Sequence, residues 1–230
     1  MQHEVEWTPD RVQRFWNYMS STPGFENLYF AKRSGPALIS YLAKRIDLGT
    51  VVDMGCGRGD LIQLLLDRGY DAYGCDQSEA SIEQVNRRFA GHPQFRGAAV
   101  GTGIPDGIAD TVTMLEVVEH LDDAALDQLI GEARRILKVG GRLVLTTPND
   151  EDLQAAKRMC PECGGVFHQM QHVRSWTGPE LSCFLESRGF ACESADATLL
   201  THHRGLLGTL HKLRFARLKQ PNLIYIGRKR

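Results

Sequence analysis

Short apolar runs and longer segments of helical periodicity alternate along most of this chain. Val12, Phe15, Trp16 and Met19 recur at helical spacing behind Thr8 and Pro9, which predicts a helix from Thr8 to about Met19 with the threonine as its cap. Another helix is expected after Pro36, over "ALISYLAKRI". From Thr50 the pattern changes. "TVVDM" (Thr50–Met54) reads as a short buried strand running into glycines, and "DLIQLLLDRG" as the helix behind it. Asp71–Asp76 makes a second strand and "SEASIEQVNRRF" its helix, with "FRGAAV" a third strand and Asp110–Val117 a fourth. A long helix from roughly Asp122 to Leu137 is expected to stop at Gly140-Gly141 by a glycine C-cap, and "GRLVLTTPN" follows as the fifth strand. "GPELSCFLESRGF" then reads as a helix, and "FACESADA" and "NLIYIGRK" as the last two strands.

Strands that alternate with helices in this way predict an α/β fold, a doubly wound, mostly parallel, Rossmann-like sheet with helices on both faces. Ligands of such sheets bind beyond the carboxyl ends of the central strands. Residues 1–48 are expected to form an N-terminal helical cap and 49–230 the main domain. Two inserts interrupt that domain: a Cys/His stretch at 151–176, after the fifth strand, and a basic helical segment at 199–220.

Charge sharpens this picture only at one end. The chain carries −1 overall, but eight Lys or Arg and no Asp or Glu lie from Leu199 onwards, leaving −9 on the remainder. A basic segment on an acidic body suits an anionic small molecule, whereas nothing in the overall charge points to nucleic acid. The N-terminus lacks the basic and apolar regions of a signal peptide, and runs such as "LIQLLL" are too short to cross a bilayer. A cytoplasmic location is therefore expected, where the one close cysteine pair, Cys160 and Cys163, reads as a metal or redox site instead of a disulfide.

"VVDMGCGRGD" carries the clearest chemistry. Gly55, Gly57 and Gly59 sit between a strand and a helix, where the backbone must turn tightly and approach a ligand closely. Asp76 ends the next strand, placed to accept the hydroxyls of a ribose. The G-x-G-x-G spacing differs from the G-x-G-x-x-G that seats a pyrophosphate, and Asp53 would repel a pyrophosphate while suiting an ammonium group. Both details favour S-adenosylmethionine over a nicotinamide dinucleotide.

Taken in order, "VVDMGCGRGD", "YGCDQS", "IPDGIADTVTMLEVVEHL", "ILKVGGRLVLTTPN" and "SWTGPELSCFLESRGF" resemble the successive motifs of class I S-adenosylmethionine-dependent methyltransferases, especially the ubiquinone-biosynthesis O-methyltransferases. The resemblance spans roughly Thr50 to Phe190. It implies a seven-stranded sheet whose final hairpin is reversed, making "NLIYIGRK" the antiparallel strand. It also implies cofactor contacts from Asp53, Gly55, Gly57 and Asp76, with Cys56, Gln77, Ala98 and Glu116 beside them. Such enzymes often hold the adenine with an acidic residue after the third strand. Here Ala98 and Ala99 stand in that place, so backbone groups would have to make the contact.

A sulfonium is already activated, so the enzyme has to align an acceptor and, for a hydroxyl, help remove its proton. "EVVEHL" supplies Glu116, Glu119 and His120 at the end of the fourth strand. His120 is the first candidate for a base, since an ordinary histidine titrates near neutrality; the two glutamates are candidates for positioning the loop. Cys160, Cys163, His168 and His172 form C-x2-C-x4-H-x3-H, a set that suits a structural zinc and would stiffen a small insert against the acceptor pocket. His172 has a second reading, because "HVRSWTGPEL" resembles an H-x-R-x-x-T-x-x-x-L stretch carried by zinc-free relatives, which would turn His172 towards the active site. The expected function is methyl transfer to a hydroxyl of a small molecule or glycan. The alternative is a non-catalytic S-adenosylmethionine-binding module whose zinc insert binds a partner.

Overall fold

A computed structural model describes residues 2–25, 29–101, 103–200 and 221–230. The chain opens with a short strand β1 (His3–Glu4) and helix α1 (Pro9–Ser21). Thr8 Oγ1 accepts from the Arg11 N–H at 3.4 Å and Pro9 occupies the first turn, so α1 starts where cap and proline direct it. Helix α2 (Phe30–Leu42) is followed by alternating β2 (Val51–Met54), α3 (Asp60–Leu66), β3 (Ala72–Asp76), α4 (Glu79–Arg88), β4 (Phe95–Val100) and β5 (Ala109–Leu115). A 3-10 turn at Val118–His120 precedes α5 (Asp123–Ile136), β6 (Leu137–Pro148), β7 (Lys157–Met159), β8 (Gly165–His168), α6 (Gly178–Glu186), β9 (Phe190–Thr198) and β10 (Asn222–Lys229).

The large sheet runs in the order β4-β3-β2-β5-β6-β10-β9. Its first five strands pair in parallel, while β10 is antiparallel to both β6 and β9. This is the seven-stranded, doubly wound sheet with a reversed final hairpin that the motifs imply. Successive residues of a strand face opposite ways, and the core divides accordingly. Val52, Val112, Leu143 and Leu223 pack with Leu126 and Ile130 of α5 and Leu181 and Leu185 of α6. Val51, Val144 and Ile224 pack on the other face with Leu38 of α2, Leu61 and Ile62 of α3 and Val85 of α4. Each such side chain, fully withdrawn from water, stabilises the fold by about 1.5–3 kcal/mol.

Two boundaries differ from expectation. Helix α2 begins at Phe30 and runs through Pro36. An interior proline forfeits a backbone hydrogen bond, but the early turns bury Ser34 and Gly35, and a Cβ on Gly35 would stand 2.5 Å from Leu64 Cδ1. Close packing of α2 on α3 outweighs the local penalty. Helix α5 stops at Ile136, before the glycines, because Leu137 already pairs with Ala109 as the first residue of β6. Strand competition ends this helix, not a glycine cap.

A second sheet, β1-β8-β7, has no counterpart in the expected pattern. β7 and β8 form the arms of an antiparallel hairpin, and β1 adds to β8 in parallel, so the N-terminus is stitched to the Cys/His insert. Lys157 Nζ adds an ion pair to Glu4 Oε1 at 2.7 Å. The basic helix expected at 199–220 falls on residues 201–220 and so lies outside the described residues.

Candidate active site

The glycine loop closes the carboxyl end of β2. Gly55, Gly57 and Gly59 all have positive φ (80°, 49° and 78°), a region costly for other residues. A Cβ on Gly55 would lie 2.7 Å from Val117 Cγ2, so the loop and the segment after β5 are in direct contact. Asp76 Oδ2 accepts from the Gly57 N–H and Oδ1 from the Ser78 N–H, each at 2.9 Å. This carboxylate therefore braces the loop and holds Ser78, the cap of α4. Cys56 is buried behind the loop, and Gln77 is exposed beside Asp76.

Asp53 is buried at 4% exposure and its Oδ1 accepts from Thr113 Oγ1 at 2.8 Å. Burial pushes its carboxyl up from 3.8 to about 7, with the Thr113 bond working the other way. On the third strand of the motif series, the Ala98 N–H donates to Asn86 Oδ1 and its carbonyl accepts from Asn86 Nδ2, both at 2.9 Å.

Beyond the carboxyl ends of β5 and β6, side chains from distant segments converge. Glu119 is 1% exposed; its Oε2 accepts from Thr147 Oγ1 at 3.0 Å, and its Oε1 has no hydrogen-bond partner among the described residues. Glu116 Oε1 is likewise buried without one. Burial raises both carboxyls; the neighbouring Glu116 raises Glu119 further, and Glu151 does the same to Glu116 against a lowering bond from Thr146. His120 stacks edge-on against Trp16 of α1 and against His172, with ring centroids 4.9 and 4.8 Å away. Burial, then the neighbouring His172, push the His120 imidazole down to about 3. The near-neutral titration expected of it is thus replaced by a permanently neutral ring.

The described residues hold three non-glycine positions of positive φ, namely Glu116 (53°), Asp150 (49°) and Gln171 (60°). All three border this centre. Each costs about 1 kcal/mol or more and persists because the surroundings hold it there. Gln171 is the tie: its Oε1 accepts from Trp16 Nε1 at 3.0 Å, its Nε2 donates to the His120 carbonyl at 3.0 Å, and its own carbonyl faces His120 Nδ1 at 3.5 Å. Glu151, directly after Asp150, accepts from His172 Nδ1 with Oε2 at 2.5 Å and lies 3.4 Å from His168 Nε2 with Oε1.

The expected four-residue zinc shell does not assemble. Among the described residues, two groups bring three ligand atoms within 4.8 Å of one another: Glu119–His120–His172 and Glu151–His168–His172. Neither contains a cysteine. The reason is the hairpin: Cys160 and Cys163 sit in its turn, where the Cys160 N–H donates to the Gly165 carbonyl, while His168 pairs with Lys157 at the far end. Three residues of strand separate Gly165 from His168, a rise of about 10 Å. His172, in contrast, lies with Glu119 and His120. Trp16, Glu151 and Gln171 were not singled out in the sequence as site residues; Glu151 alone carried a signal, three residues past the end of β6.

The chain matches the methyltransferase domain family over residues 28–195. It is 30% identical over 181 residues to a "Probable S-adenosylmethionine-dependent methyltransferase" of Mycolicibacterium smegmatis, covering 79% of this chain and 65% of that protein. It is 31% identical over 122 residues to the ubiquinone biosynthesis O-methyltransferase of Pseudomonas paraeruginosa, covering 50% of this chain and 51% of that one. The chain thus spans about half to two thirds of the length of these curated relatives. Among solved structures, a Burkholderia thailandensis 1,6-didemethyltoxoflavin-N1-methyltransferase with bound S-adenosylhomocysteine superposes with a TM-score of 0.65 at 15% identity, covering 99% of this chain and 92% of that one. That likeness concerns the fold alone. The chain belongs to the class I S-adenosylmethionine-dependent methyltransferases.

Proposed function

From that membership, we propose that this chain transfers the methyl group of S-adenosylmethionine to a hydroxyl of a small molecule or glycan. The glycine loop, Asp53 and Asp76 hold the cofactor, and the acceptor hydroxyl is drawn to Glu116, Glu119, His120 and His172. The family match supports the methyl transfer; the O-methyltransferase relatives and the chemistry of the Glu/His centre support a hydroxyl acceptor.

One observation carries the reading. His120 Nδ1 faces the Gln171 carbonyl, which can only accept, so the ring's proton is on Nδ1 and Nε2 bears a lone pair. That Nε2 stands 3.9 Å from the unpartnered Oε1 of Glu119. A buried carboxyl oxygen and a buried ring nitrogen face one another too far apart for a direct hydrogen bond, and a divalent cation between them would satisfy both. Two ligands at about 2.0–2.1 Å from one tetrahedral ion would be roughly 3.3 Å apart, close to the separation seen. The metal expected at the cysteines is accordingly proposed at Glu119, His120 and His172, with Glu116 alongside. A mixed carboxylate and imidazole set suits zinc or manganese. When bound, such an ion would polarise the acceptor oxygen and lower its pKa. The chain's own part is to hold that oxygen facing the methyl, to keep water out with Trp16, and to present the imidazoles of His120 and His172.

The test is calorimetric titration of metal-stripped and zinc- or manganese-loaded protein with S-adenosylmethionine, S-adenosylhomocysteine and NAD. Binding of both sulfur ligands, no binding of NAD and one cation per chain are expected. Binding of NAD alone would end the methyltransferase reading, and sulfur-ligand binding without any cation would end the metal assignment.

A further inference from the structure

The second histidine-rich group, Glu151–His168–His172, sits beside the proposed cation centre and invites a second metal. Its hydrogen bonds argue otherwise. His168 is 4% exposed, and its Nδ1 accepts from two backbone N–H groups, those of Met170 at 3.3 Å and His172 at 3.1 Å. A ring nitrogen facing two donors is the unprotonated one, so in neutral His168 the proton is on Nε2. A metal on Nε2 would drive that proton onto Nδ1, against both backbone donors.

We infer that His168 and Glu151 are positioning residues that fix the tautomer and direction of His172. Backbone amides hold His168 Nδ1; its Nε2 lies 3.4 Å from Glu151 Oε1, within ion-pair reach but not in a hydrogen bond; Glu151 Oε2 accepts from His172 Nδ1–H, which leaves the His172 lone pair on Nε2; and His172 shares a cluster of ligand atoms within 4.8 Å of one another with Glu119 and His120. The His168 and His172 rings also stack, with centroids 4.4 Å apart at 21°, which removes rotational freedom from both. A carboxylate behind a histidine in this way sets the ring's orientation and raises its basicity as a ligand. His120 is fixed in the same tautomer by a separate route, through Gln171 and Trp16. Both imidazoles therefore keep their lone pair on Nε2, one held from α1 and one from the β7–β8 hairpin.

This also gives the hairpin a purpose without zinc at its turn. β1 pairs with β8, and His168 is the last residue of β8, so the clamped hairpin delivers His168 to Glu151. The inference takes the side-chain geometry as it stands and rests on the proposed cation centre only for its consequence.

Imidazole ¹⁵N NMR of the metal-stripped full chain at neutral pH, with each histidine assigned by substitution, tests it directly. The expected spectrum has His172 protonated at Nδ1 and His168 at Nε2. The reverse assignment for either ring would overturn the relay whether or not a metal binds. In the second arm, Glu151→Gln and His168→Asn are titrated with zinc; the asparagine keeps an oxygen for the backbone donors but cannot reach Glu151. A 10- to 100-fold loss of zinc affinity in both variants, with S-adenosylhomocysteine affinity unchanged, is expected. Wild-type zinc affinity in Glu151→Gln would refute the positioning role. A wild type that binds no cation, yet shows the stated tautomers, would sink the cation centre and leave the relay standing.

Discussion

The two halves of the site are built on different principles. The half proposed for the cofactor is contiguous: a loop of three glycines and a carboxylate one strand later. The Glu/His half draws on α1, the end of β5, the end of β6 and the stretch behind the hairpin, and it combines side chains with backbone groups from these segments. Asp76 bonds to Gly57 and Ser78, its neighbours in the motif, whereas Glu151 bonds to residues 17 and 21 positions further on. A contiguous site tolerates change around it. A convergent one depends on every element that delivers a residue.

Three changes would sharpen or break this contrast. The largest effect is expected from Asp76→Ala, which removes both a ligand carboxylate and the brace on the Gly57 N–H. S-adenosylmethionine affinity should fall about 100-fold or more, consistent with losing a charge-assisted bond and the order of the loop. Calorimetry checks it, and zinc affinity at the other half should remain intact. An equal loss at both halves would show that they are one cooperative unit.

The next effect is one of pH. The Asp53 carboxyl rises from 3.8 to about 7 on burial. Between those values the unfolded chain releases a proton that the folded chain retains. Its contribution to stability is therefore full below pH 4 and is lost as pH climbs to about 7, by about 4 kcal/mol in all. A bound ammonium group favours the charged carboxylate, so cofactor affinity should drop up to about tenfold per pH unit below 7, with one proton released on binding. Calorimetry in buffers of differing ionisation enthalpy measures that proton. Asp53→Asn should flatten both profiles, and an unchanged pH dependence would remove Asp53 from the cofactor site.

The smallest effect is expected from the paired change Cys160→Ser and Cys163→Ser. The cysteines are in the hairpin turn, away from the Glu/His centre, so zinc affinity there should stay within about twofold and thermal stability should move little. Loss of bound zinc from this variant would restore the four-residue Cys/His shell and break the division drawn between turn and centre.

Much of the fold was legible because its signals are local. "VVDM", "DAYGCD" and "NLIYIGRK" are short apolar strands with nothing to compete with them, and Thr8 announces a helix start that the structure bears out with a side-chain cap. The misread boundaries are those where a partner intervenes, Leu64 against Gly35 in one case and Ala109 against Leu137 in the other. The glycine loop was readable for the same local reason. The Glu/His centre was readable only where its residues fall in motifs, "EVVEHL" and, as one of two readings of His172, "HVRSWTGPEL".

By itself the sequence determined the alternation of elements, the doubly wound sheet, the glycine loop with its carboxylate, and membership of a methyltransferase class, since these depend on residues close together in the chain. Tertiary structure decided which histidines meet which carboxylates. A C-x2-C followed by two histidines reads as one ligand set along a line, yet a strand separates those residues by its own length, and the turn at Gln171 swings His172 back towards Glu119. Spacing in sequence becomes distance in space only where the backbone between is known. Here that backbone carried the cysteines away and brought Trp16, Glu151 and Gln171 in.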